Sequence, residues 1–132
     1  MRKVQHASVA GVSVDSTVGV TKPTWASDAT GGWEEWQPGT INILVQLPVA
    51  LTLSAAVNAI ITVTEAKAQA LFQFGVPGTG TASDSVVICW PTRVEREEFC
   101  GPRSQWGSVL AQATFQSIDK GLRVHPRKSV SS

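Results

Sequence analysis

The chain has 132 residues, of which 42% are hydrophobic and 16% charged, and its formal net charge is +1. This length suits one domain, and the hydrophobic, charge-poor composition excludes an intrinsically disordered chain. The low net charge excludes histone-like proteins and acidic tails, since both carry a strong overall field. Together with the alternation of apolar and polar residues along the chain, these values predict a single β-rich domain over residues 1–132. Within it, residues 1–35 are a candidate extended arm and residues 122–132 a basic tail.

The N-terminus and the longest charge-free run do not resemble membrane segments. The chain begins with Arg2 and Lys3, but Ser8, Gly11 and Asp15 interrupt the apolar stretch after them, so we expect no cleaved signal peptide. The charge-free run, residues 37–64, contains Asn, Gln, Pro and Thr and is too polar for a spanning helix. We therefore predict no membrane partner.

Alternating apolar and polar residues predict a mainly β fold. The alternation is loose over residues 4–14, where an extended arm is an equal interpretation, and clear over residues 40–47, between two prolines. A second strand is predicted over residues 57–64, with Val57, Ala59, Ile61 and Val63 on one face. Residues 86–90 form another β-rich run, ended by Pro91.

Two further segments have helical character. Residues 65–71 are rich in helix formers, and Gly75 could cap a helix, but we favour a turn followed by a strand over residues 70–74. Residues 104–119 are the best helix candidate, with Ser104 as N-cap and Gly121 as the stop. We therefore predict an antiparallel β-sandwich or partial jelly roll with one short helix near the C-terminus.

The cysteines and histidines are too few for a metal centre. Cys89 and Cys100 have neither metal-ligand nor redox-motif spacing; two reduced thiols are the favoured interpretation, and a hairpin disulfide is the alternative. With only His6 and His125 besides, we predict no metal and no cofactor.

No catalytic motif is evident. Both histidines lie in predicted terminal arms, where holding a fixed geometry beside a nucleophile is difficult. Gly78 and Gly80 flank a threonine as in a phosphate loop, but no lysine follows, so this stretch is interpreted as a loop. The acidic residues of 95–98 alternate with Arg96, as on a solvated surface. We predict that the protein is not an enzyme.

Tryptophan and the basic residues suggest contacts with other molecules. The chain has five tryptophans and no tyrosine. We interpret four of them as an interface, with a stacking platform for sugars or bases as the alternative for the first three: Trp25, Trp33, Trp36 and Trp106. Six cations near the termini are candidates for contacting RNA phosphates: Arg2, Lys3, Lys120, Arg123, Arg127 and Lys128.

One region resembles a known family. The run is WQPGTINILVQ from residue 36, VNAIITV from residue 57 and LFQFGVP from residue 71. It is similar to the last strands of the jelly-roll coat proteins of picorna-like viruses, in which a Gly-Thr-Ile start opens a strand and a Phe-x-x-Pro ending follows its partner. Because only 35 residues precede Trp36, fewer than a full roll uses, the resemblance implies a partial roll.

The resemblance implies a structural subunit of a viral capsid, located in the virion after assembly in the host cytoplasm. Its partners would be copies of itself or related capsid chains, with RNA at the basic termini. Two alternatives remain open: a non-catalytic β-sandwich module that binds carbohydrate or peptide, and an accessory subunit of a large cellular complex.

Overall fold

The computed structural model describes residues 3–29 and 39–124. These residues form six strands and two helices. Their bounds are β1 Gln5–Val9, β2 Val12–Gly19, β3 Thr40–Gln46, β4 Ala50–Leu51, α1 Leu53–Phe74, β5 Ser85–Cys89, β6 Arg96–Glu97 and α2 Gln105–Val124. Neither helix combines the length and apolar character that crossing a bilayer requires, as far as the described residues show.

The main sheet has four strands in the order β1-β2-β3-β5. Its first three strands are antiparallel neighbours, whereas β3 and β5 run parallel and are joined through α1. A crossover connection of this kind is what parallel strands need, since a hairpin cannot join them. β4 and β6 pair separately as a short parallel bridge.

Both helices pack on one face of this sheet. Every second residue of β3 is buried toward them, namely Ile41, Ile43 and Val45, while the residues between are exposed. α2 lies over β1 and β2, α1 contacts β5, and the helices pack against each other. The result is a two-layer α/β arrangement with the hydrophobic core between the layers.

Helix α1 replaces the two strands predicted over residues 57–64 and 70–74. Thr52 caps its start, with its hydroxyl accepting from Ala55 N at 3.2 Å. It ends at Gly75, whose φ of 85° allows the N–H groups of Gly75 and Val76 to reach the carbonyls of Phe72 and Leu71. The favoured strand interpretation was therefore wrong, and the capping role considered for Gly75 is confirmed.

The outward face of α1 explains the error. Its buried residues recur at helical spacing, with Ala55, Ala59, Val63 and Ala66 among them. However, apolar side chains also lie on the exposed face, where Val57 is 61% and Ile61 is 51% exposed. Apolar residues on both faces imitate the alternation of a strand.

Helix α2 was predicted correctly at its start. Ser104 accepts from Gly107 N at 3.1 Å and is the N-cap, as expected. The helix continues past Gly121 to Val124, so the predicted stop was wrong. Gly121 is instead buried against β2, where an added Cβ would lie 2.5 Å from a methyl group of Val18.

The candidate extended arm, residues 1–35, contains two strands of the main sheet, the alternative considered for residues 4–14. β1 and β2 are joined by a tight turn in which Ala10 has φ 48° and Gly11 φ 88°, the left-handed conformations that two-residue hairpins require. The hairpin is held to α2 by Ser117, whose hydroxyl donates to Gln5 O at 2.8 Å and lies 2.6 Å from Ser16 Oγ. Residues 125–132, most of the predicted basic tail, lie outside the described residues.

The expected antiparallel β-sandwich or partial jelly roll is therefore wrong. The sheet is mixed, and the one short helix that was predicted is accompanied by a 22-residue helix in the middle of the chain. This helix covers the sheet as a second layer. In a β-sandwich, a second sheet forms that layer.

Replacing Gly107 by alanine is expected to destabilise the protein by about 1–3 kcal/mol, because the site is already filled. A Cβ at this position would lie 2.5 Å from Cys100 O, so α2 would have to move away from the turn that precedes it. Urea denaturation followed by circular dichroism measures the change. The matched control is Gln112→Ala at an exposed position of the same helix, with an expected change within about 0.5 kcal/mol. Equal midpoints for the two variants would contradict the close packing.

Candidate functional site

A glycine-rich loop, residues 75–84, connects α1 to β5. It is fixed against residues 24–26 by backbone hydrogen bonds: Thr24 N donates to Gly80 O at 2.9 Å, and Thr79 N donates to Thr24 O at 2.9 Å. The Thr79 hydroxyl also accepts from Ala26 N at 3.0 Å. The loop is therefore held in a defined conformation at the edge of the sheet where β3 and β5 begin.

Asp84, the last residue of this loop, accepts several hydrogen bonds. Lys67 Nζ of α1 lies 2.7 Å from one carboxylate oxygen, and Ile41 N of β3 donates to the other at 3.0 Å. Thr81 donates twice, through its backbone N–H at 3.0 Å and through its hydroxyl. Three distant parts of the chain thus meet at one carboxylate.

The ion pair between Lys67 and Asp84 is largely removed from solvent. The side chains are 10% and 11% exposed, respectively. Burying two charges costs several kcal/mol per ion unless their pairing and hydrogen bonds compensate. A buried pair of this kind is weak evidence for stability alone, and it makes the surroundings of Asp84 a candidate for function.

Glycine at position 80 leaves space for the pair. A Cβ there would lie 2.8 Å from Lys67 Nζ and would overlap the Asp84 carboxylate. We call Lys67, Gly80, Thr81 and Asp84 the loop site. The phosphate-loop motif was rejected because no lysine follows the glycines, and the loop does lead into a strand and not a helix. Nevertheless the folded chain brings a lysine to this loop, because Lys67 of α1 lies against Asp84.

The loop site has a chemically useful arrangement. Nucleophilic catalysis needs a hydroxyl beside a base that a third group orients. Thr81 supplies a partly exposed hydroxyl, Asp84 a carboxylate that accepts its hydrogen bond, and Lys67 a cation that orients the carboxylate. Sequence reasoning missed this set, because its members are separated along the chain and no short motif contains them all.

His6 is also more ordered than expected. It lies in β1, directly opposite Asp15 of β2, and its Nδ1 is 2.8 Å from the Asp15 carboxylate. The prediction that it lies in an arm unable to hold a geometry was therefore wrong. The sequence did offer a signal for this pair. The short turn at residues 10–11 fixes the register of β1 against β2, and this register places His6 opposite Asp15. His125 lies outside the described residues.

The two cysteines are free in the structure. Cys89 is exposed at the end of β5, while Cys100 is buried before α2. Burial, together with the negative charge of Glu97, raises the pKa of the Cys100 thiol, which keeps it neutral and unreactive. Among the described residues, no group of three or more His, Cys, Asp or Glu side chains could hold a metal ion.

Two of the predicted interface tryptophans and three of the predicted RNA-contacting cations lie in the described part of the chain. Trp25 is 54% exposed in the segment after β2, whereas Trp106 lies in α2 and packs against the core. Lys120 donates to His6 O at 2.7 Å, and Arg123 pairs with Asp119 at 2.9 Å. Lys3 is exposed, and the others lie outside the described residues: Arg2, Trp33, Trp36, Arg127 and Lys128.

Comparison with known proteins identifies the class to which this chain belongs. A family model described as adenosylcobinamide amidohydrolase matches residues 1–129, nearly the whole chain. The chain therefore belongs to this amidohydrolase family, CbiZ.

A curated relative carries the same description. It is the adenosylcobinamide amidohydrolase of Methanosarcina mazei, 32% identical over 95 residues, a match covering 65% of this chain and 48% of the relative. The chain thus spans about half the length of that relative. No solved structure was found to match the chain.

Family membership overturns the functional expectations drawn from the sequence. The chain belongs to a family of enzymes, so the prediction of a non-catalytic protein was wrong, both as a capsid subunit and as a binding module. The resemblance to viral coat proteins rested on a strand pattern, and residues 57–74 of that pattern are helical. The expected capsid partners and virion location are therefore wrong as well, because the relative is a cellular archaeal enzyme.

Lys67→Met is expected to cost about 3–5 kcal/mol of unfolding free energy, because it leaves the Asp84 carboxylate buried without its cation. Adding Asp84→Asn should recover part of this loss, since the double variant contains no unpaired charge. Chemical denaturation of the two single variants and the double variant gives the coupling energy. Lys22→Met removes an exposed lysine and serves as the control, with a change below about 1 kcal/mol. Strictly additive single losses would show that the pair is not coupled.

Iodoacetamide at pH 8 is expected to label one thiol per native chain, at Cys89, and two per denatured chain. The reason is that Cys100 is buried and its pKa is raised. Peptide mass spectrometry locates the label. Equal labelling of both cysteines in the native protein would contradict the burial of Cys100, and an absence of label before reduction would indicate a disulfide.

Proposed function

We propose that this chain hydrolyses an amide bond of adenosylcobinamide and that the loop site carries out the chemistry. The match of the amidohydrolase family model to residues 1–129 is the observation that carries the proposal. The loop site supports it, because it offers a hydroxyl, a carboxylate and an ammonium in one hydrogen-bonded chain.

The proposed reaction proceeds through an ester of Thr81. Its hydroxyl oxygen attacks the amide carbonyl carbon while Asp84 accepts the hydroxyl proton. The C–N bond then breaks, and the proton passes from Asp84 to the leaving nitrogen, which departs as an amine. Asp84 next takes a proton from water, which attacks the ester. This step releases the carboxylic acid and restores the Thr81 hydroxyl, so one water is consumed for each amide cleaved.

The surrounding groups hold Asp84 ready for this role. Lys67 and the N–H of Ile41 each donate to one of its oxygens, which fixes the orientation of the carboxylate. The hydrogen bonds between the loop and residues 24–26 hold Thr81 beside it. Such preorganisation avoids rearranging dipoles during the reaction.

A structural role is the competing interpretation. In that case the ion pair only attaches the loop to α1 and β3, and the Thr81 hydroxyl contributes one more hydrogen bond. The two interpretations differ in what Thr81 variants do to turnover, because a structural hydroxyl affects stability and not the chemical step.

Thr81→Ala is expected to lower kcat by about 10³-fold or more with KM changed only a few-fold, because the attacking oxygen is lost. Thr81→Ser keeps that oxygen and should retain measurable turnover. Chromatography of adenosylcobinamide and its hydrolysis products, coupled to mass spectrometry, measures the rate. Asp84→Asn should cost about 10²–10⁴-fold.

Thr64→Ala is the matched control, since its hydroxyl donates to Ile60 O on the exposed side of α1 and not to a residue of the loop site. Its rate should equal that of the unaltered protein. Full turnover by Thr81→Ala would assign the loop site a structural role, whereas an absence of turnover by the unaltered protein would overturn the proposed function.

A further inference from the structure

The face of the main sheet opposite the helices carries a polar row at one end. Thr17, Asn42 and Ser85 lie side by side on β2, β3 and β5. Ser85 Oγ donates to Asn42 Oδ1 at 2.8 Å, and Asn42 Nδ2 donates to Thr17 Oγ1 at 3.1 Å. These bonds fix the Asn42 amide, so its oxygen has one lone pair and its nitrogen one hydrogen left to offer.

An apolar patch lies next to this row. Leu44 and Val87 are neighbours on β3 and β5, 38% and 52% exposed, and Val4, 63% exposed, lies before β1 at the Thr17 end of the polar row. The polar row and the apolar patch together line a shallow cavity of about 520 Å³. This volume falls within the range of small-molecule sites, which combine apolar walls with a few fixed polar groups.

Two residues that line the cavity are adjacent in the chain to residues at the loop site. Ser85 directly follows Asp84, and Asn42 directly follows Ile41, whose N–H donates to Asp84. Successive strand residues point to opposite faces, so Asp84 faces the helices and Ser85 the open side. A ligand that contacts both places has to extend around the end of the sheet where β3 and β5 begin.

We propose that this cavity binds the adenosyl group of the substrate, an inference that rests on the proposed function. An asparagine amide matches the edge of adenine, since its oxygen accepts from the exocyclic amino group and its nitrogen donates to the adjacent ring nitrogen. Asn42 has one acceptor position and one donor position left for this contact. The faces of Leu44 and Val87 supply an apolar surface for the purine ring.

The composition of the cavity favours an uncharged, flat ligand over a second copy of the chain. Its two apolar strand residues form a small area, whereas a stable protein interface buries about 800 Å² on each partner. Asp15, the acidic residue of the lining, is already engaged with His6. The described residues that line the cavity therefore include one carboxylate, which is hydrogen-bonded to His6, and no cation that would attract an anionic ligand.

Calorimetry measures binding separately from turnover. Adenosylcobinamide is titrated into full-length Thr81→Ala, which retains the cavity but lacks the attacking hydroxyl. Adenosine and inosine are then used as competitors. Inosine carries an acceptor oxygen where adenosine carries the amino donor, so it presents Asn42 with the wrong pattern and should compete about tenfold less well.

Asn42→Ala in the same background should weaken binding of adenosylcobinamide about tenfold and abolish the preference for adenosine. Gln46→Ala is the matched control, because Gln46 is exposed on the same strand and face but beyond the cavity, and its affinity should be unchanged. Ser85→Ala, which frees the Asn42 amide to rotate, should reduce the preference without removing it. Its denaturation midpoint shows whether the fold is intact.

Equal competition by the two nucleosides, no effect of Asn42→Ala, or no binding at all would overturn the inference. A dimer on gel filtration that Val87→Lys dissociates would overturn it too, by showing that a second copy covers the face. If the unaltered protein binds in an Asn42-dependent way but does not hydrolyse the ligand, the proposed function fails and the binding site stands. If hydrolysis occurs with unchanged KM in Asn42→Ala, only the binding site fails.

Discussion

The ion pair between Lys67 and Asp84 is the contact on which the candidate site depends. It joins the long helix to the residue that precedes the last strand of the main sheet, with both side chains about nine-tenths buried. Such a pair can persist only where the geometry is good and the remaining lone pairs are filled. Here Thr81 and the N–H of Ile41 fill them, and glycine at position 80 leaves the space. The position of a hydroxyl that can act as a nucleophile follows from satisfying these two charges.

The two helices support this arrangement by close packing. Small residues on both helices face the shared core, among them Ala59 and Ala66 of α1 and Ala113 of α2. Thr62 adds a polar contact across this region, its hydroxyl donating to Cys100 O at 2.7 Å. Because well-packed interiors transmit small shifts, a displacement of α2 would be felt by α1 and therefore by Lys67. A substitution that disturbs the packing of the two helices is therefore also expected to disturb the loop site.

Local signals predicted part of this fold and failed where distant residues decide. β3 was evident from alternation, β5 from its β-rich composition before Pro91, and α2 from its spacing and the Ser104 cap. α1 was missed because Val57 and Ile61 place apolar side chains on its exposed face, which hides the helical period. A family model uses information that a single sequence does not contain, and it assigned the class of enzyme where a strand pattern had suggested a coat protein.

The candidate site could not be predicted from the sequence, for a similar reason. Lys67, Thr81 and Asp84 have no diagnostic spacing, and only the packing of α1 against the start of β5 brings them together.

The parallel pairing of β3 with β5 has a kinetic consequence. Ile41 and Asp84 are neighbours across an intervening chain that includes α1, which is a contact of high sequence separation. Loop-closure entropy opposes contacts of this kind and slows folding, so the hydroxyl, carboxylate and ammonium of the proposed site meet through the class of contact that costs the folding chain most.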